Sequence, residues 1–304
     1  MERQENDRWD VAESVGATAT MAATARAAAT RRSDRLIDDP LAEVLVRAVG
    51  IDFFTSLASG ARGFDDVGTG WITDLFAVRA RYFDDFISCA WRAGIRQVVN
   101  VGAGLDTRGY RLPWPAHCTL YEVDRPEVLW FKASTLTAIG VAPVVRVRTV
   151  GIDLREDWPT ALQANGFDAT QPTAWLAEGL LIGYLPGAAQ DRLLDDITDL
   201  SATGTRLAAD SPPPTGHIGS DMREVARRWQ SHGLAVDLTN LFFQGRRSRV
   251  DEYLQSRNWE TCASGLTDLF NSAGLDAAVL DPRYTETALV SYLTARRGRN
   301  GLRC

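Results

Sequence analysis

Apolar and polar positions fall into two different patterns that meet near Gly94. Upstream the spacing is helical. From Trp71 to Trp91, Ile72, Leu75, Phe76, Phe83, Phe86 and Ile87 recur at intervals of three to four, which predicts a long amphipathic helix ended by Gly94. Ala12 to Thr30 is rich in Ala and Thr and nearly free of charge, as in a helix that packs closely against a neighbour; Arg26 is conspicuous within it. Asp38-Asp39-Pro40 reads as a helix start, Asp as cap and Pro in the first turn, opening Leu41 to Val49. Gly60 to Gly70 reads as a loop.

Downstream, short β-type runs alternate with helical stretches, which predicts a parallel sheet with crossover helices. The runs are Gln97 to Val101, Thr119 to Val123, Val144 to Val150, Ala174 to Ala177 and Arg206 to Ala209; helices are expected near Arg125 to Ile139, Trp158 to Gln163 and Ala188 to Ser201. Ser211-Pro-Pro-Pro-Thr-Gly216 breaks the alternation. Gly219 to Gly274 then reads as helices and loops, including Val250 to Ser256 and Thr267 to Ala273, and Thr287 to Leu293 as a closing edge strand. The expected organisation is an N-terminal helical cap over residues 1–94, packed on an α/β domain over 95–304 with a helical insertion or lid at about 212–275.

Bulk composition narrows the function classes. Of the 304 residues, 45% are hydrophobic and 24% charged, enough for a sizeable core, and the formal net charge of -6 gives no reason to expect nucleic acid or an anionic membrane as partner. Cys89, Cys118, Cys262 and Cys304 are far apart and share no C-x-x-C spacing, which argues against zinc or a disulfide framework and for reduced thiols. The opening residues are acidic and polar, and no apolar run approaches a signal segment or membrane span, so a cytoplasmic location is expected.

The candidate chemistry sits at the strand ends. The run Gln97 to Val101 ends in Gly102-Ala-Gly104, and Asp124 closes the second run 22 positions after Gly102. Glycines let backbone approach a ligand, and such an acid can grip a ribose diol. Asp106-Thr-Arg108 occupies the place where a dinucleotide fingerprint has its third glycine, which argues for a ligand without a pyrophosphate. Asp153 and Glu178 also fall just past predicted strands, so Gly102, Asp124, Asp153 and Glu178 would rim one crevice. Asp153 reads equally as a helix cap, and Glu178 as half of a buried ion pair. Only one carboxylate follows each strand and no His is close in sequence, so no metal site is expected, and a glycosidase pair would leave the glycine loop unexplained.

The set Val98 to Arg108, Tyr121-Glu-Val-Asp-Arg-Pro126, Gly151-Ile-Asp-Leu-Arg155 and Ala177-Glu-Gly-Leu-Leu181 resembles the leucine carboxyl methyltransferase family, in particular its bacterial S-adenosylmethionine (SAM)-dependent branch. The resemblance runs over nearly the whole chain. It implies a class I methyltransferase sheet, a Rossmann-like α/β fold with an N-terminal helical extension. It further implies that Gly102 lines the methionyl part of the cofactor, Asp124 holds the ribose, Asp153 and Leu154 the adenine, and Glu178 lies beside it. Arg79 matches an arginine that pairs with the methionine carboxylate, and Arg26 a second cation. The stretch Leu181-Ile-Gly-Tyr184 carries one residue more than the family's Glu-Gly-Leu-Leu-Met-Tyr-Leu, and the C-terminal half, which would shape the acceptor pocket, matches loosely.

The implied activity is methyl transfer to a small-molecule acceptor, expected to be O-methylation of a carboxylate. Such an acceptor is already ionised and needs no base, so no catalytic residue is assigned. A hydroxyl acceptor would need one, with His117, His217 and His232 as candidates. The alternatives are an NAD(P)-dependent oxidoreductase and a SAM-binding paralogue without turnover.

Overall fold

A computed structural model describes residues 15–213, 218–238, 241–243 and 245–298. Four helices precede the sheet: α1 (Val15–Thr30), α2 (Pro40–Val49), α3 (Asp52–Ala58) and α4 (Trp71–Arg92). The Ala-rich composition of α1 has a packing reason. Ala17, Ala23, Ala25 and Ala27 are fully buried where α1 meets α2, α3 and α4, and small side chains allow that close approach. Thr20 and Thr24, also buried, turn their hydroxyls back to the carbonyls of Gly16 and Thr20 and so need no outside partner. Helix α2 starts at Pro40 as expected, but Asp39 makes no side-chain cap; its carboxylate is taken by Arg26 and Thr107 instead.

The sheet then builds as β1 (Gln97–Val101), α5 (Arg108–Arg111), β2 (Thr119–Asp124), α6 (Pro126–Ala138), β3 (Arg146–Gly151), α7 (Trp158–Ala164), β4 (Thr173–Ala177), α8 (Gly187–Asp199) and β5 (Arg206–Ser211). After it come α9 (Gly219–Ser231), α10 (Val250–Gln255), β6 (Trp259–Gly265), α11 (Leu266–Ser272), α12 (Thr285–Ala288) and β7 (Ser291–Arg297). The strand order is β3-β2-β1-β4-β5-β7-β6, with β1 to β5 parallel and β7 antiparallel to both β5 and β6.

Two expectations are corrected here. The last strand is not an edge: β7 lies between β5 and β6. The outer strand is β6, inside the stretch read as helices and loops. Its sequence, Trp259-Glu-Thr-Cys-Ala-Ser-Gly265, carries no apolar alternation, because an outer strand buries little. The thiols are also not all alike: Cys89 and Cys118 are free, Cys262 on β6 is disulfide-bonded, and Cys304 lies outside the described residues.

Side-chain alternation splits the core between the two faces of the sheet. Val98, Leu120, Ala174 and Leu176 face the N-terminal helices, while Val99, Val101, Tyr121, Val123, Trp175 and Ala177 face α7 and α8. Central strands β1 and β4 are therefore buried along their whole length, whereas β3 at the other edge is half exposed. Strand order reverses between β1 and β4, which opens a crevice at their carboxyl ends.

Candidate active site

That crevice holds one cavity of about 260 Å³, and all seven residues singled out from the sequence line it: Arg26, Arg79, Gly102, Asp124, Asp153, Leu154 and Glu178. The strands explain why. Gly102 follows β1, Asp124 ends β2, Asp153 and Leu154 follow β3, and Glu178 follows β4, so parallel register brings their tips side by side. Helices α1 and α4 close the cavity from above with Arg26 and Arg79.

Each charged group has a partner. The two oxygens of Asp124 accept from the N–H groups of Gly104 and Arg125, both at 2.7 Å, which ties the glycine loop to the tip of β2. Burial pushes the Asp124 carboxyl up in pKa, and those two N–H groups restrain the shift. Asp153 is half-buried and gripped by Arg155, whose Nε and Nη2 donate at 2.9 and 2.7 Å. Burial alone would raise its pKa, but the arginine overrides this and holds it below the usual range. Neither the N–H of Thr160 nor any other start of α7 uses Asp153, since that cap is Asp157.

The Glu178 carboxylate lies between two guanidinium groups, 3.2 Å from Arg79 Nε and 2.6 Å from Arg108 Nη1. The ion-pair reading is thus realised, on the wall of the cavity. Arg79 also lies 3.4 Å from Asp210 at the end of β5 and stacks over Phe76. Gly179 has φ of 69°, where glycine alone is unstrained, and a methyl group there would come within 2.3 Å of Arg79 Nη2. Arg26 is not short of polar neighbours, as its Ala-rich helix suggested: it donates to Asp39 at 2.9 Å and to the carbonyl of Leu105 at 2.8 Å.

Several wall residues escaped the sequence reading. Asp210 is buried, accepts from the N–H of Gly179 at 2.8 Å, and has its pKa raised by burial against the pull of Arg79. The signal was present, since Asp210 is a fourth acid at a strand end; the reading stopped the run at Ala209. Asn100 and Arg108 hold Asp106 from two sides. Trp71, Ile72, Phe76, Met222, Phe243 and Val290 form an apolar wall that no motif announced. His117 and His232 are exposed and neither lines the cavity; His217 lies outside the described residues.

A family model described as leucine carboxyl methyltransferase matches residues 19–198, more than half the chain. The chain belongs to the leucine carboxyl methyltransferase family. A Mycolicibacterium gilvum (strain PYR-GCK) protein named "Putative S-adenosyl-L-methionine-dependent methyltransferase" is 51% identical over 311 residues, covering 98% of this chain and 100% of the relative. A Mycobacterium marinum (strain ATCC BAA-535 / M) protein of the same name is 49% identical over 304 residues, covering 98% and 99%. A crystal structure from Thermobifida fusca YX, with a similarly provisional methyltransferase name, superposes with a TM-score of 0.50 at 16% identity over 91% of this chain and 94% of that one, a likeness of fold. The enzyme is a SAM-dependent methyltransferase with the class I sheet, and membership in this leucine carboxyl methyltransferase family sets aside the oxidoreductase alternative. No helix among its described residues is long and apolar enough to cross a membrane.

Proposed function

We propose that this methyltransferase O-methylates a carboxylate on a small-molecule acceptor, with SAM held by the strand tips. The observation that carries the reading is that one cavity joins a polar floor of strand-tip residues, Gly102, Asp124, Asp153 and Glu178, to the apolar side chains Trp71, Phe76, Met222 and Phe243.

The floor suits an adenosyl ligand. Each Asp124 oxygen accepts one backbone N–H and keeps a second lone pair for a ribose hydroxyl. Gly102 adopts φ of 72° and leaves its side of the loop without a Cβ, so a ligand can lie against the backbone. Asp153 and the Leu154 N–H are disposed to take the adenine edge. Arg79 would meet the methionine carboxylate, with Arg26 as a brace behind the loop rather than a direct ligand. Bound SAM supplies a methyl group activated by the positive sulfur. The protein's part is to orient the acceptor and keep water away, which the apolar wall supports.

The carboxylate reading rests on the occupancy of the acids. Asp106, Asp124, Asp153, Glu178 and Asp210 all accept from arginine or backbone N–H groups, so each already has a partner within the fold. An ionised carboxylate acceptor requires no base.

Calorimetry with S-adenosylhomocysteine (SAH) tests the cofactor site: Asp124→Ala weakens binding by about 1 to 3 kcal/mol if the ribose bonds exist. Unchanged affinity in a folded variant removes Asp124 from the site. Labelled-methyl transfer from SAM to paired small acids and alcohols tests the acceptor, with base-labile methyl esters expected. Products formed from the alcohols alone refute the carboxylate, and SAH binding with no transfer to any acceptor supports a paralogue without turnover.

A further inference from the structure

The segment Asp106-Thr-Arg108, which stands where a dinucleotide loop has its third glycine, has no ligand role in the reading above, yet it is the most heavily bonded stretch of the site. Arg108 is 4% exposed. Its Nε donates to Asp84 Oδ1 at 2.6 Å and its Nη2 to the Ala80 carbonyl at 3.3 Å, both on α4, while its face lies over the Phe83 ring. One nitrogen, Nη1, donates to two carboxylates, Asp106 at 2.5 Å and Glu178 at 2.6 Å. Thr107 donates to Asp39, which also holds Arg26.

A planar fork is the side chain that can do this, since it offers several donors in a fixed geometry. Without it, Glu178 would keep Arg79 as its remaining cation. The carboxylate would then swing toward Arg79, and Arg79 would be drawn from Asp210 and from any ligand. The glycine loop would at the same time lose its tie to β4, because Asp106 and Glu178 share the same Nη1.

We infer that Arg108 is a positioning residue for the methyl-donor site: anchored on α4, it fixes the Glu178 carboxylate and the Gly102–Asp106 loop in one register and so leaves Arg79 available to the cofactor. This rests on the proposal that Glu178 and Arg79 flank the cofactor.

The test is a double-substitution cycle read by SAH calorimetry, using Arg108→Gln, Glu178→Gln and the pair, with melting temperature measured in parallel. Arg108→Gln is expected to weaken SAH at least about tenfold, and Glu178→Gln to add little in that background, because neighbours acting through one another are not additive. Arg108→Lys, which keeps the charge and loses the fork, is expected to fall between and serves if the Gln variant does not fold. Asp84→Asn, which weakens the α4 anchor of Arg108 and also the pair of Asp84 with Arg111, should be less coupled to Glu178 than Arg108 is.

A merely structural role would lower the melting temperature while leaving SAH affinity of the folded protein within about twofold for Arg108→Lys, or would give additive effects; either result overturns the inference. If Asp124→Ala weakens SAH and Glu178→Gln does not, the cofactor site stands and this inference falls. If the wild-type protein does not bind SAH, the proposed cofactor site falls first.

Discussion

Replacing Lys132 with Met separates an ion pair that has no access to water. Lys132 on α6 reaches Glu122 on β2 at 2.8 Å, and both side chains are 1% exposed. The ammonium also donates to the Asp106 carbonyl at 3.0 Å, so it ties α6 to the glycine loop. Oε2 of Glu122 has no hydrogen-bond partner among the described residues, which leaves Lys132 as the main group that compensates this buried charge. Met keeps the length of the stem and removes the charge. Stranding one member of a buried pair costs about 3 to 5 kcal/mol, more than an exposed pair would.

The pH dependence of that loss follows from the direction of the Glu122 shift. Burial already raises its pKa, and Lys132 is the main influence pulling it down, so the variant raises it further. A carboxyl whose folded-state pKa exceeds its unfolded value binds its proton more tightly when folded. The penalty is therefore full above the folded pKa and shrinks as pH falls toward the unfolded value of about 4.3. Urea denaturation at pH 8 and pH 5.5 checks both statements through the midpoint shift. Lys132→Met should lose more stability at pH 8 than at 5.5, and adding Glu122→Gln should restore most of it at pH 8. A loss under about 1 kcal/mol, or an equal loss at the two pH values, would refute the argument that an unpaired buried carboxylate causes it.

Gly179→Ala places a methyl group against Arg79 Nη2 at positive φ: about 1 to 2 kcal/mol of backbone strain should lower its melting temperature, and displacement of the guanidinium should weaken SAH binding roughly tenfold or more. Gly94→Ala, at φ of 88° with nothing within 4 Å, should show the strain in its melting temperature and leave SAH affinity unchanged. Trp229 is fully buried against Phe53, Phe54 and Phe64, with its indole N–H on Thr69; Trp229→Ala should cost about 3 to 5 kcal/mol in urea denaturation, and Trp229→Phe distinctly less.

What could be read from sequence divides along physical lines. Strands β1 and β4 are buried on both faces and read as short, mostly apolar runs, and a glycine or acid directly after such a run, as Gly102 and Glu178 are, stands at the crevice by geometry alone. Asp124 and Asp153 end or follow β2 and the half-exposed β3, whose patterns are more mixed. Strand β6 was missed because a half-exposed outer strand has little need of apolar residues, and β7 was mistaken for an edge because alternation reveals a solvated face but not the neighbour beside it. Asp210 directly follows the run Arg206 to Ala209 as Asp124 follows Thr119 to Val123, so the same rule reaches it.

The cations show a deeper limit. Strand tips place Asp106, Asp124, Asp153, Glu178 and Asp210 around one cavity, and so many like charges in a dry space would not stay ionised unaided. Their acidity is a local feature, each following its own strand. Their compensation is local only in part: Asp106 and Asp153 are met by Arg108 and Arg155 close by in sequence, whereas Glu178 and Asp210 are met by Arg79 from α4, and Glu178 also by Arg108 from α5. Arg108 and Glu178 are 70 residues apart, and Arg26 meets the glycine loop at Leu105 across 79. A lone arginine on an apolar helix therefore signals only that a buried acid or carbonyl exists somewhere in the fold. The N-terminal helices accordingly do more than cover the sheet: α4 brings Arg79 to Glu178 and Asp210 at the ends of β4 and β5, and α1 brings Arg26 to the glycine loop at Leu105.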